Sequence, residues 1–206
     1  MAEFTRKEVL QMIAAVPVGS VIRFAGFDLS GLDLHCTDLS GVDLHWANLT
    51  DANLDNTDLS GADLHGTKLI NTALTAANLK GVNLNAADLR WANLAGANLN
   101  GADVSWANLD NTDLSGADLS RAYLNGSNLP YANLTKASLS HANLNGADLA
   151  EAHLSGADLS YADLSYADLS RAYLNDANLT GAKLIGADLT DARLTGATMP
   201  NGTKRD

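Results

Sequence analysis

The chain has 206 residues, a net charge of −11 and a pI near 4.6, and its 46% apolar content is mostly Leu and Ala, with aromatics at only 5%. Such an acidic surface repels nucleic-acid phosphates and anionic lipid, which argues against direct binding to either. The single cysteine, Cys36, allows no intrachain disulfide, and no apolar run reaches the ~18 residues of a membrane span.

Taken in chain order, the first element is a helix within residues 1–21. Thr5 and Glu8 have the spacing of a capping box, with Phe4 and Val9 at the staple positions on either side. Val9, Leu10, Ile13 and Val16 form its predicted apolar stripe, and Pro17 and Gly19 end it. The expected task of Thr5, Glu8, Leu10 and Ile13 is to cover the open end of the structure formed by the residues from 22 onward. Residues Met1 to Arg23 lack the charged-then-apolar layout of a secretory signal, so a cytoplasmic protein is expected.

Residues 22–199 repeat with a period of five. Leu stands at position 29 and at every fifth residue through 194, interrupted only by Val104, and Phe24 and Met199 extend the row. Taking each such residue as a centre, the position two before it is Ala in 25 of 36 units, and the position just before it is Asp or Asn in 26 of 36. Two after it, Gly is the commonest residue. A helix would smear this pattern round its axis and a plain strand alternates every two residues, so neither explains it. A backbone that turns a corner every five residues does, and four corners close a square coil of twenty. The centre and the small residue point inward, while Gly and Asn sit where the turn needs unusual dihedrals. Nine such coils, stacked at about 4.8 Å, make a rod about 43 Å long. The expected fold is an all-β solenoid, a quadrilateral β-helix with a short capping helix. Residues 200–206 are a polar tail that must close the last coil, unless another molecule does; end-to-end self-association is expected there.

The unit, plain in Ala117-Asp118-Leu119-Ser120-Arg121, resembles the pentapeptide repeat family, and the resemblance runs from residue 22 to 199 without insertion. It implies a right-handed coil. Met199-Pro200-Asn201-Gly202-Thr203 is similar to the tail of cyanobacterial members. Some members of the family are similar to duplex DNA in size and charge and act on DNA gyrase. The resemblance therefore implies, as an alternative, an acidic DNA mimic that binds or protects gyrase or a related topoisomerase. This chain departs from that subgroup in having neither a projecting loop nor a C-terminal dimerising helix.

A square coil filled with Leu and Ala leaves no concave site, and no phosphate loop or nucleophile elbow appears. No enzyme, cofactor or resident metal is expected. His45 and His65, one coil apart, with His35 and Cys36 near, are the best metal-ligating group, but they lack a four-ligand arrangement and read as surface residues. The expected role is a non-enzymatic scaffold binding an unidentified protein partner.

Residues twenty apart share a column, so the surface can be mapped by number. The side centred on Leu29, Leu49 and so on to Leu189 carries nine acids and three bases, a net of −6, against −2 on each other side. Trp46, Trp106 and Tyr166 share the corner leading into it, and Trp91 and Tyr131 the corner leaving it. Aromatics beside a directional charge field mark protein contact surfaces. The candidate face is Trp46, Asp88, Arg90, Trp91, Trp106, Asp110, Tyr131, Asp148, Glu151 and Tyr166. The competing explanation is that large corner side chains merely lie along the rod and cover backbone.

Overall fold

The computed structural model describes residues 4–17 and 20–206. Its single helix, α1 (Arg6–Ala15), is followed by parallel β-bridges that link every residue preceding a centre to the residue twenty further on, from Arg23↔Asp43 to Asn178↔Thr198. Twenty residues therefore make one coil of four sides. We number the sides one to four by their first centres, Phe24, Leu29, Leu34 and Leu39.

The repeat chemistry is visible at each side. The Asp or Asn before a centre accepts a hydrogen bond from the amide two residues on, as Ser60 N donates to Asp58 Oδ1 at 2.9 Å, which starts the turn locally. The amide three after the centre then donates back to the centre's carbonyl, as Ala62 does to Leu59 at 3.0 Å. The residue two after the centre takes a positive φ, such as +59° at Trp46, +60° at Trp106 and +63° at Gly81, the third-position requirement of a type II turn. This is why glycine is common there. It also means that each non-glycine at that register holds a conformation that ordinary L-residues avoid, at about 1 kcal/mol or more.

Centres and small residues fill the core. Leu59, Leu109 and Leu159 are 0% exposed, as is Leu134. Where Thr replaces Ala beyond the first coil, its hydroxyl donates to a carbonyl of the preceding coil, as Thr67 does to Leu44 at 2.8 Å and Thr112 to Leu89 at 2.8 Å. The polar group is buried with its hydrogen bond made, so it carries little penalty.

The two ends differ. At the first coil, Thr5 caps α1 with a complete capping box, and Glu8 returns to the Thr5 amide at 2.7 Å. Val9 is fully buried, and Phe4, Met12 and Ile13 pack on the core, with Phe4 stacked on Phe27 at 5.1 Å. The large residues Ile22, Phe27 and Leu32 replace Ala under the helix and pack against the same core. The predicted stripe needs one correction: Leu10 lies on the outer face beside Arg6, Lys7, Gln11 and Ala14. At 100° per residue, Met12 and Leu10 lie on opposite flanks of the Val9–Ile13 face, equally far from its midline, and the first coil meets the Met12 flank. Met12 holds the place assigned to Leu10. The helix stops at Ala15 with Val16 extended before Pro17, as a residue preceding proline prefers; Gly19 lies outside the described residues. Arg6 reaches down to the Asp33 carbonyl at 2.6 Å and the His35 carbonyl at 3.2 Å, satisfying edge acceptors of the first coil.

At the last coil the tail folds back. Thr198 and Lys204 form an antiparallel bridge, the Gly196 amide donates to the Arg205 carbonyl at 2.8 Å, and the Arg205 amide donates to the Ala197 carbonyl at 2.9 Å. This covers side four and the corner that leads into it from side three. Leu184, Leu189, Leu194 and Met199 remain half-buried, unlike the centres of the middle coils.

Candidate protein-interaction face

Side two and its bordering corners hold every residue of the candidate face predicted from the sequence. The corner entering it reads, coil by coil, Gly26, Trp46, Gly66, Ala86, Trp106, Gly126, Gly146, Tyr166, Gly186. The aromatics recur every three coils, about 14 Å apart on a 4.8 Å spacing, with only glycine or alanine between. Trp46, Trp106 and Tyr166 are 61%, 67% and 67% exposed. Each also leans on the next coil. A β carbon built on Gly66, Gly126 or Gly186 would strike the ring of Trp46, Trp106 or Tyr166 respectively. The competing explanation from the sequence therefore describes one part of each ring, while most of its surface stays open to solvent. Tyr161, outside the predicted set, lies over Gly181 in the same manner and stacks on His141 at 5.2 Å. The sequence signal for these pairs was an aromatic followed twenty residues later by glycine.

The other corner places Trp91 and Tyr131 two coils apart, both exposed. Tyr131 Oη reaches Glu151 Oε1 at 3.5 Å, and Arg171 holds the same oxygen at 3.4 Å. Between the corners, Arg90 grips Asp88 through two contacts of 2.8 Å, and this pairing holds the Asp88 carboxyl below the usual aspartate range. Asp88 and Arg90 thus largely cancel. Lys68 stands on the rung before Asp88. The negative field consequently lies in the later half of the side. Asp110, Asp148, Glu151, Asp168, Asp188 and Asp191 face a single base there, Arg171, a net of −5 out of −6. Asp148, Asp168 and Asp188 stack on successive rungs. The sequence placed the centre of the face near Trp91, Trp106 and Tyr131; the negative charge itself is concentrated in the C-terminal coils.

The histidines fall out differently from the sequence grouping. Asp43, His45 and Asp63 on side one bring one donor atom each within 4.8 Å of one another, whereas His65 turns its ring against Trp46 at 5.0 Å. His35 binds Asp33 at 2.6 Å and neighbours Arg6 instead, and Cys36 stands exposed on its corner. The missed partners were legible as the spacing Asp-Leu-His, which the turn geometry converts into a contact, as in the 2.5 Å pairing of His45 Nδ1 with Asp43. The trio could take a divalent cation on its free carboxylate oxygens, although Asp63 also accepts from Asn83 at 2.9 Å.

No described helix is long and apolar enough to cross a membrane. The apolar hollows include shallow ones along α1, lined by Phe4, Glu8, Gln11, Met12 and Ala15 on one flank.

The family described as pentapeptide repeats matches overlapping segments that run from residue 22 to residue 201. The crystal structure of HetL, a pentapeptide repeat protein involved in heterocyst differentiation regulation from the cyanobacterium Nostoc sp. strain PCC 7120, is similar at 40% identity, covering 98% of this chain and 100% of that one with a TM-score of 0.63. QnrB1, a plasmid-mediated fluoroquinolone resistance protein, is similar at 22% identity, covering 84% and 89% with a TM-score of 0.66, a likeness of fold. No curated protein sequence matches. Both likenesses carry the right-handed β-helix, and the matched repeats together with the likeness to HetL show that the chain belongs to the pentapeptide repeat family.

Proposed function

We propose that this protein is a non-enzymatic, regulatory interaction scaffold of the cytoplasm, and that side two binds a basic protein partner. The observation that supports this reading most is the spacing of Trp46, Trp106 and Tyr166. Three aromatics stand open to solvent, three coils apart, each in a strained backbone conformation, along the edge of the most acidic side. The contact of each ring with the glycine of the next coil uses only part of it, and the remaining surface is open to a partner. Arginine suits the face best, because its guanidinium stacks on Trp and Tyr and pairs with the carboxylates of Asp148, Glu151 and Asp168. The involvement of HetL in a regulatory process agrees with a protein that acts by binding.

The test is capture from a cyanobacterial lysate by the wild-type rod and by two variants, Trp106→Ala/Tyr166→Ala and Asp148→Asn/Asp168→Asn, with circular dichroism confirming the fold. A protein held by wild type and lost by both variants, and released by salt, is the expected result. Capture of the same set by all three would sink the proposal. DNA gyrase as the captured protein, with inhibition in a supercoiling assay, would favour the DNA-mimic reading.

A further inference from the structure

Two copies of one short unit stand in register on side one. Asp43-Leu44-His45 and Asp63-Leu64-His65 are twenty residues apart, so their outward side chains occupy the same two columns on neighbouring rungs. Asp43, His45 and Asp63 each bring one ligand atom within 4.8 Å of the other two, and no other such trio of acidic, histidine or cysteine side chains occurs among the described residues. The turns hold the carboxylates in place. Asp63 Oδ1 accepts from the His65 amide at 3.1 Å and from Asn83 Nδ2 at 2.9 Å, which leaves its other oxygen unengaged among the described residues. Asp43 Oδ1 accepts from the His45 amide at 3.3 Å and faces His45 Nδ1 at 2.5 Å.

The charge of this trio is uncompensated. Asp43 and Asp63 face each other on adjoining rungs, and like charges in that relation repel. Elsewhere on side one the fold avoids this. Asp103 stands between Asn83 and Tyr123, and Asp163 stands between Asn143 and Lys183, which binds it at 3.1 Å. Among the described residues no Lys or Arg pairs with Asp43 or Asp63, although Arg23 stands on the rung before Asp43. Aspartates also stack on other sides, as Asp148, Asp168 and Asp188 do, but with no histidine two residues on.

We propose that Asp43, His45 and Asp63 bind one divalent cation of the zinc class. The donor set carries that choice. Calcium and magnesium take six or more ligands, nearly all oxygen, whereas one imidazole nitrogen with two carboxylates suits zinc and its first-row neighbours. Zinc stands about 2.1 Å from such donors, which places tetrahedral neighbours roughly 3.4 Å apart. Asp43 and His45 open slightly from their contact, and the proton between them is released to solvent. The free oxygen of Asp63 closes by side-chain rotation alone, because the two rungs are already joined by the Leu44 amide and the Asp63 carbonyl at 2.8 Å. The fourth position is open to water, since the His45 and Asp43 side chains are 41% and 21% exposed. His65 stays against Trp46. The ion joins two coils across a rung and so stabilises the early part of the rod, away from the acidic half of side two. Histidine spacing alone gave no ligand set; the aspartates two residues before the histidines supply it.

Calorimetric titration of the untagged full chain with zinc, in chelator-free buffer, tests this. One equivalent per chain is expected. Asp43→Asn, His45→Asn and Asp63→Asn should each weaken binding by about tenfold or more, while His153→Asn on side three leaves it unchanged. Asparagine already fills both positions on other rungs of side one, at Asn83 and Asn143 and at Asn85, Asn125 and Asn145, so the variants suit the turn, and circular dichroism verifies their fold. Zinc is also expected to raise the Tm of wild type and not that of the three variants. Calcium in equal amount should not displace it. Neither heat nor a Tm shift at millimolar zinc would overturn the proposal. More than one equivalent, or binding that the three variants leave unchanged, would mean an adventitious ion only and would overturn it too. Displacement by equimolar calcium would overturn the role given to His45. Partner capture by side two is run with a chelator present, so the two proposals fail independently.

Discussion

At the scale of the residue, one register decides most of the surface. The second residue after each centre has positive φ, and glycine there serves two different ends. At Gly101 a β carbon meets nothing within 4 Å, so Gly101→Ala carries only the left-handed strain, about 1 kcal/mol. At Gly126 the same carbon would displace the Trp106 ring. Gly126→Ala is therefore expected to cost more than Gly101→Ala in urea unfolding and to alter the tryptophan emission, and adding Trp106→Ala should remove the excess. Equal losses in the two alanine variants would show that the ring does not lean on the glycine. The aspartates before each centre carry the second residue-scale argument. Asp38, Asp163 and Asp188 sit below the usual aspartate range, held by hydrogen bonds from Ser40, Ser165 and Thr190 respectively. A carboxyl depressed in the folded state stabilises it above the unfolded value near 3.9, and that stability is lost as pH falls through the folded values. Urea midpoints are expected to hold from pH 7 to about 5 and then to drop steadily toward pH 3. A flat profile would mean these turn contacts are energetically neutral.

Among the elements, α1 shows how far a local pattern carries. The capping box was legible because its partners are three residues apart: Thr5 and Glu8 meet as their spacing requires. The face presented to the coil was less legible, since Leu10 and Met12 are both apolar and only packing against the first coil distinguishes them. The tail gave no hydrophobic signal at all. Its antiparallel return over Thr198 depends on Gly202 at φ +82° and on edge groups that exist only once the last coil has formed.

For the whole molecule, stability is a sum over neighbouring coils, each side contributing one buried leucine. Leu109 is 0% exposed with coils above and below, so Leu109→Ala is expected to cost about 3 kcal/mol and to lower the global urea midpoint. Leu189 is half-buried, so Leu189→Ala should cost far less. Hydrogen exchange should show its effect confined to the last coil and its neighbour. Similar global losses from both would contradict a quasi-one-dimensional rod. The candidate face is also a property of this scale. Its columns could be counted from residue numbers because no insertion breaks the register between 22 and 199.

The period of five by itself determined the square coil, the inward leucines and alanines, the outward columns and the acidic excess of side two, because each follows from the connectivity of one short unit. The side chains of different coils are twenty residues apart, and what they do to one another depends on rotamers that no spacing specifies. Only the tertiary structure decided that Arg90 cancels Asp88, that His45 joins Asp43 and Asp63 while His65 turns to Trp46, that the corner rings rest on glycines, and that the folded tail leaves most of the last coil's edge open.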